Sequence, residues 1–210
     1  MNNINNTPFW WNEALNHLSK SDKIMEKIIM LYPDASLKSR GDPFMALSRT
    51  IVGQQISVKA AASVWQNLES NIKTFIPKNI IKYGIKNLRK CGTSERKAEY
   101  IVNIANYFIS NPNIVKELER LSDREVVDEL CKLKGIGPWS AEMFLMFCLL
   151  RQDILPMGDL GLRKAIGINY LNKKNPSDNE IKKISKSWRP YRSAATWFLW
   201  RSIDPITIAY

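Results

Sequence analysis

Histidine and cysteine are scarce in this chain of 210 residues, which has one histidine, His17, and three cysteines. The cysteines, Cys91, Cys131 and Cys148, are widely spaced and form no C-x-x-C pair. At this spacing they form no zinc-binding pattern with the single histidine, and their odd number argues against a disulfide framework. We therefore interpret all three as small buried hydrophobic residues.

Long apolar runs are also missing, because no stretch approaches the roughly 18 apolar residues that read as a membrane-spanning helix. The N-terminal sequence MNNINNTPFWWNEAL is polar and then aromatic, without the basic start and apolar stretch of a secretory signal. We expect no membrane association and a cytoplasmic location, on the nucleoid if the source is bacterial. Hydrophobic residues make up 45% of the chain, which is enough for a buried core.

Acidic residues are outnumbered: 20 Asp and Glu stand against 31 Lys and Arg, a formal net charge of +11. Such an excess favours a polyanionic partner, because a protein that neutralises phosphates releases their counterions. A lysine-rich compositional bias of the source organism would produce the same excess. Charge alone therefore leaves both explanations open.

Strand patterns are lacking too, since no long stretch alternates with period two and no Asn-Gly turn occurs. Helical spacing is frequent, and Leu47, Ile51 and Val52 fall on one helical stripe. Capping boxes predict helix starts at Ser122 and Ser177, each with a glutamate three residues later. We predict an all-α protein of about ten helices.

The segment LCKLKGIGPWSA, residues 130–141, predicts two helices joined by a tight turn. Pro138 suits the first turn of the second helix, because its missing N–H would be unpaired there anyway. Gly135 and Gly137 permit the turn and the close approach of another backbone. The amides at the new helix start form an anion site, to which Lys134 adds charge.

A purely structural turn would also use two glycines, but the flanking residues are more specific. The pattern L-x-G-I-G-x-x-[ST]-A resembles the helix-hairpin-helix motif of DNA repair proteins. We therefore predict that a DNA phosphate is bound by Lys134, Gly135, Ile136, Gly137 and Ser140.

Asp159 follows the hairpin by one helix, in the loop sequence LPMGDLGLRK. One interpretation is that this aspartate simply caps the next helix. The other is a functional carboxylate, because the intervening segment AEMFLMFCLL is nearly all apolar and must be buried. Asp159 would then lie beyond the far end of this buried helix, in the loop that follows it.

The chain resembles the helix-hairpin-helix–Gly/Pro–Asp DNA glycosylases in three features taken together: the hairpin, the Gly/Pro-rich loop and the aspartate that follows it. Within that superfamily the chain is most similar to the 3-methyladenine DNA glycosylase II type. Matching segments are FMAL at 44–47, IVGQQIS at 51–57, GTSERKA at 92–98 and WRPYRS at 188–193. The resemblance covers roughly residues 40–205.

The resemblance implies two helical lobes with the active site in the cleft between them. One lobe would span 43–151 and contain the helix-hairpin-helix at 130–147. The other would combine 1–42 with 152–210 and carry the aspartate loop. Larger bacterial relatives have an additional N-terminal β-rich domain, which we expect to be missing here, with a narrower substrate range as the consequence.

The resemblance also implies an activity: a monofunctional glycosylase that flips alkylated purines from duplex DNA and hydrolyses their glycosidic bond. Asp159 would be catalytic, and Phe44, Trp139 and Trp200 would line the base pocket, with Met143 one turn after Trp139. A positively charged alkylated base suits indole faces, and a carboxylate can stabilise the oxocarbenium-like sugar and activate water. The partner is therefore double-stranded DNA with damaged bases, bound by a monomer.

Further implications concern the DNA wedge and the cofactors. Gln55 occupies the position of the intercalating residue, and Gln54 is a second candidate. Hairpin carbonyls, including that of Leu133, would hold a monovalent cation, and we expect no other cofactor. Trp139 stands where strand-cutting relatives have a Schiff-base lysine, so we predict no β-lyase activity. No cysteine follows Asp159, which excludes the four-cysteine iron–sulfur cluster of the endonuclease III branch.

Two alternatives stay open. A non-catalytic DNA-binding module would keep the hairpin but would need neither Asp159 nor the aromatic residues. A glycosylase for oxidised or mismatched bases is disfavoured by the missing lysine and the missing cluster. Lesion preference among 3-methyladenine, 7-methylguanine and hypoxanthine depends on pocket shape.

Overall fold

The computed structural model describes residues 7–204, and every regular element in that range is helical, which confirms the all-α prediction. It contains twelve α-helices there, where the sequence predicted about ten. Helices α1 to α12 are, in order, Trp11–Ser21, Lys23–Leu31, Pro43–Gly53, Val58–Asn71, Pro77–Lys90, Glu95–Ser110, Ile114–Arg120, Asp123–Leu130, Pro138–Phe147, Leu160–Ile166, Asp178–Ile184 and Arg192–Ile203. A π-helical segment, Gly167–Leu171, continues α10. None of the helices in the described range is long and apolar enough to cross a membrane.

The chain forms two compact units. Residues 40–149 form the first, which we call the hairpin unit, and residues 7–39 with 150–204 form the second, the aspartate unit. The predicted cleft between two lobes stays a prediction.

In the hairpin unit, α3 is the central helix and packs against α4, α6 and α9. The α3 helix begins where the Asp42 side chain accepts the Met45 amide at 2.8 Å, with proline in its first turn. The predicted stripe of Leu47, Ile51 and Val52 is buried, which confirms it. Helix α5 packs on α6, and it bends at Gly84, whose φ is 76°.

The aspartate unit is built on α1, α2, α10 and α12. Residues Ser193 to Trp200 of α12 are all buried, so this helix forms the centre of the core. Trp11 of α1 stacks on Phe198 at 5.6 Å and meets Trp197 edge-on at 5.5 Å between ring centroids. Large aromatic contacts of this kind supply much of the apolar area buried in a small unit.

Both predicted capping boxes are confirmed. Ser122 and Glu125 exchange hydrogen bonds at the start of α8, and Ser177 and Glu180 do the same at the start of α11. Each pair satisfies two helix-start amides that have no partner within the helix.

The three cysteines carry no disulfide. Cys91 is buried, as expected, whereas Cys131 and Cys148 are half-buried. Burial raises the pKa of the Cys148 thiol to about 12, so this side chain stays a neutral thiol. Within residues 7–204 no three His, Cys, Asp or Glu side chains come together as a metal site.

Candidate functional site

The hairpin lies where the sequence predicted it, between the end of α8 at Leu130 and the start of α9 at Pro138. Its turn contains Gly135 at a φ of 92°, and a Cβ at this position would collide with the ring of Tyr100. Only glycine fits there. Gly137 is different, because its φ is −108° and a Cβ would have no neighbour within 4 Å.

The start of α9 receives no hydrogen bond from a capping side chain in the described chain, unlike the start of α8. Gly137 is its N-cap residue, and Lys134 nearby is exposed. A helix start of this kind presents amides and a positive dipole end to an anion. Phosphate binding at this helix start stays a prediction.

Other hairpin residues face inward. Ile136 and Ser140 are buried, and the Ser140 hydroxyl accepts the Gln54 amide at 3.2 Å. The Leu133 carbonyl accepts the Ile136 amide at 3.0 Å, which uses one of its two lone pairs. Its second lone pair suits a hard cation, so the donor type fits the predicted monovalent ion.

The two candidate wedge residues differ in direction. Gln54 is half-buried and its side-chain amide donates to the carbonyl of Gly135 at 2.8 Å. Gln55 is exposed and has a φ of 57°, in the left-handed region. Gln54 therefore joins the end of α3 to the hairpin, and Gln55 is the residue that projects.

Three of the predicted pocket residues belong to the hairpin unit. Trp139 is half-buried and Met143 is buried, both on α9. Phe44 is 1% exposed, with ring centroids of Phe75 and Phe108 at 5.6 and 5.7 Å. The role of these three residues in base binding stays a prediction.

Asp159 is buried in the aspartate unit, with 8% of its surface exposed. Its Oδ1 accepts the Leu162 amide at 2.6 Å, so it does cap α10. The same oxygen accepts the indole N–H of Trp200 at 2.7 Å. The structural interpretation of Asp159 is thus correct, and the carboxylate is in addition fixed by a side chain from α12.

The contacts that anchor the loop before this aspartate were not predicted from the sequence. Arg192 binds the Asp153 carboxylate through two hydrogen bonds, of 2.6 and 2.9 Å. The Ser193 hydroxyl donates to the Arg151 carbonyl at 2.6 Å and accepts the Ile154 amide at 3.0 Å. These contacts anchor the first part of the loop that leads to Asp159. The only signal for them was the segment WRPYRS, to which no role was given.

A basic cleft on the hairpin unit was also missed. Its volume is about 580 Å³, and Lys86 and Lys90 of α5 line it together with Arg89 and Glu95. Arg89 pairs with Glu95 at 3.5 Å, whereas Lys86 and Lys90 form no ion pair within the described residues. Their i, i+4 spacing could have predicted a basic helix face.

Comparison with known proteins identifies the family. The model of the HhH-GPD superfamily base excision DNA repair proteins matches residues 48–190, and the chain belongs to this family. The resemblance stated from the sequence is thereby confirmed.

Similar proteins support the same relationship. DNA-3-methyladenine glycosylase 1 of Schizosaccharomyces pombe is 34% identical over 89% of this chain and 85% of its own length. The structure of the S. pombe 3-methyladenine DNA glycosylase in complex with abasic DNA superposes with a TM-score of 0.81, at 32% identity, over 90% of this chain and 96% of that one. The Bacillus halodurans DNA-3-methyladenine glycosidase gives a TM-score of 0.77, at 30% identity, over 94% and 92% of the two chains.

Proposed function

We propose that this protein is a DNA glycosylase of base excision repair that removes alkylated purines, of the 3-methyladenine and 7-methylguanine class, from duplex DNA. One observation carries the proposal: the buried Asp159 lies at the end of a loop that Arg192 and Ser193 anchor, and a single oxygen of its carboxylate accepts both the α10 amide and the Trp200 indole. A module that only binds DNA needs no such carboxylate. The names of the similar proteins support the same substrate class.

Binding begins at the hairpin. The amides at the start of α9 and the exposed Lys134 hold a phosphate of the damaged strand, and the open space around Gly137 lets that phosphate approach the backbone. Exposed Gln55 fills the gap in the duplex once the damaged nucleotide leaves the stack. Extruding a base costs a few kcal/mol, least for a weakly paired lesion.

The chemistry follows from the charge of the substrate. An N-alkylated purine is already a good leaving group, so no general acid is required. Its charge suits an indole face, and Trp139 and Trp200 are the indoles to which we assign this contact. As the glycosidic bond breaks, Asp159 stabilises the oxocarbenium-like sugar and orients the attacking water.

Strand cleavage is not part of this proposal. A β-lyase needs an amine that forms a Schiff base with the sugar, and Trp139 occupies the corresponding hairpin position. Treatment of the reaction with borohydride should trap no covalent protein–DNA adduct, and a trapped adduct would refute this part.

The carbonyl of Leu133 would help to hold a monovalent cation at the hairpin. When bound, that ion would add positive charge to the hairpin. We further propose that the protein acts as a monomer, because every assigned role belongs to one chain, and that it acts with the genomic DNA in the cytoplasm.

The first test is release of free methylated bases from alkylated duplex DNA, compared between the protein and Asp159→Asn. Release of 3-methyladenine by the protein and little by the variant supports the proposal. Intact DNA binding without any base release would favour the non-catalytic module. Release of only hypoxanthine, uracil or 8-oxoguanine would instead favour a glycosylase for other lesions.

The variant Gly137→Ala tests phosphate binding at the start of α9. No atom lies within 4 Å of the added methyl group, so the folded protein should keep its stability. The methyl group would obstruct the approaching phosphate, so affinity for duplex DNA should fall about tenfold, which corresponds to about 1.4 kcal/mol. Unchanged affinity in a fluorescence anisotropy titration would contradict the grip at this position.

A further inference from the structure

The lysine at position 97 has no role in the proposed chemistry, yet its ammonium group reaches the end of another helix. Lys97 lies on α6, and its Nζ donates to the carbonyls of Val52 at 2.9 Å and Gln54 at 2.7 Å. The last carbonyls of a helix have no partner within it, so a cation at this end is well matched to them. Partial burial lowers the pKa of the Lys97 ammonium, as expected for a group taken out of water.

The backbone that Lys97 holds is in an unfavourable conformation. Helix α3 ends at Gly53, and Gln55 then adopts a φ of 57°. Glycine or asparagine usually fills a left-handed position after a helix, because other side chains are strained there. Gln55 is nevertheless exposed, and its direction is determined by this one turn.

The same helix also supports the hairpin. Tyr100, one turn after Lys97 on α6, packs where a Cβ on Gly135 would stand. Gln54, whose carbonyl Lys97 binds, donates its side-chain amide to the Gly135 carbonyl at 2.8 Å. The turn before Gln55 and the hairpin turn at Gly135 thus both contact one segment of α6, Lys97 to Tyr100.

We propose that Lys97 is a positioning residue for base flipping: by binding the Val52 and Gln54 carbonyls it fixes the direction of Gln55 and its register with the hairpin. It acts through Gln55 and touches no substrate. The inference rests on the proposed function, since a wedge is needed only where a base leaves the stack. Opening the stack is therefore the step that Lys97 should affect, and bond cleavage should not depend on it.

Lys97→Met tests this, because it keeps the aliphatic stem and removes the ammonium group. Lys97→Arg is the conservative variant, and Lys116→Met, at an exposed lysine on α7, is the control with the same change of charge. Single-turnover release of 7-methylguanine is measured from a fully paired duplex and from one in which the lesion lies in a bulge. Thermal melting by circular dichroism verifies that each variant is folded.

We expect Lys97→Met to slow release from the paired duplex by about tenfold or more and from the bulged one by less than about twofold. Lys97→Arg should recover much of the difference, and Lys116→Met should change neither rate. Equal losses on both substrates would overturn the proposal, because they would indicate a general structural role. Unchanged rates on both would overturn it as well.

A second measurement separates this inference from the proposed function. A duplex with 2-aminopurine opposite a tetrahydrofuran abasic site gains fluorescence when the wedge unstacks the orphan base. The unmodified protein should raise the signal and Lys97→Met should not, whether or not any base is released. If the unmodified protein releases no base, the proposed function fails, and this signal alone decides the role of Lys97. An equal rise for both proteins would overturn it.

Discussion

Two aspartates of the aspartate unit have similar surroundings, and we assign them different roles. Asp22 caps α2 through the amides of Ile24 and Met25, and its Oδ2 accepts the Trp188 indole at 2.8 Å. Asp159 caps α10 and accepts an indole at 2.7 Å. A helix cap with a tryptophan donor is therefore no signature of catalysis by itself.

The difference lies in how the donors are distributed. At Asp22 the two helix amides bind Oδ1, and Oδ2 accepts both the indole and the hydroxyl of Tyr170 at 2.8 Å. At Asp159 the helix amide and the indole converge on the same oxygen. Asp22 ties three segments of the chain together, whereas Asp159 stands at the end of a loop that Arg192 and Ser193 anchor. The first arrangement stabilises the unit, and the second orients one carboxylate.

The largest effect should come from replacing each aspartate by asparagine. Asp159→Asn keeps a good helix cap and an oxygen for Trp200, so the protein should still fold while base release falls by roughly a hundredfold or more. Asp22→Asn puts an NH₂ group where two donors need an acceptor, so it should lower the free energy of unfolding by about 1–3 kcal/mol. Urea titration and single-turnover release on both variants provide the check. If Asp22→Asn lost as much activity per folded molecule as Asp159→Asn, the two aspartates would not have different roles.

Removing the indole donor of each aspartate should have smaller effects of the same kind, on activity at Asp159 and on stability at Asp22. Trp200→Phe keeps an aromatic face but no longer fixes Asp159, so kcat should fall about tenfold with KM nearly unchanged. Trp188→Phe, at a fully buried position, should cost about 1–3 kcal/mol of stability and leave kcat alone. Steady-state kinetics beside thermal melts distinguish the two. A Trp200→Phe enzyme with unchanged kcat would mean that the helix cap alone orients Asp159.

The smallest effect concerns Tyr170 at alkaline pH and leaves activity at neutral pH unaffected. Burial first, and then the Asp22 carboxylate, raise the pKa of the Tyr170 hydroxyl above its ordinary value of 10.0. A raised pKa contributes stability that is fully present below the unfolded value and is lost as pH rises through the folded value. The free energy of unfolding should therefore decline above about pH 10, and less steeply in Tyr170→Phe. The free energy of unfolding is measured by urea titration at each pH. If it declines equally steeply with pH in both proteins, the raised pKa of Tyr170 does not contribute to stability.

Helix positions could be predicted from the sequence because their causes are local. The stripe of Leu47, Ile51 and Val52 and the capping boxes at Ser122 and Ser177 depend only on neighbours within two turns. The bend at Gly84 and the π-helical segment after α10 were not predicted. Glycine inside a helical pattern is usually tolerated, and nothing in the local sequence distinguishes a π turn from an α turn.

The candidate site was predictable only in part for the same reason. Asp159 could be recognised as a cap or a functional carboxylate, since both interpretations follow from its loop. Its bond to Trp200, and the Lys97 contact with the end of α3, join residues that are distant in sequence. Tertiary packing creates such contacts, and spacing along the chain carries no trace of them.

The division of the chain has a consequence for biosynthesis. The ribosome completes the hairpin unit, residues 40–149, as one uninterrupted stretch, and domains generally fold as units in the order of their synthesis. Helices α1 and α2 emerge earlier, yet the side chain of Trp11 can pack on Trp197 and Phe198 only after α12 has been synthesised. The hairpin is thus synthesised first, and the surroundings of Asp159, whose Trp200 partner is translated near the end, are completed last.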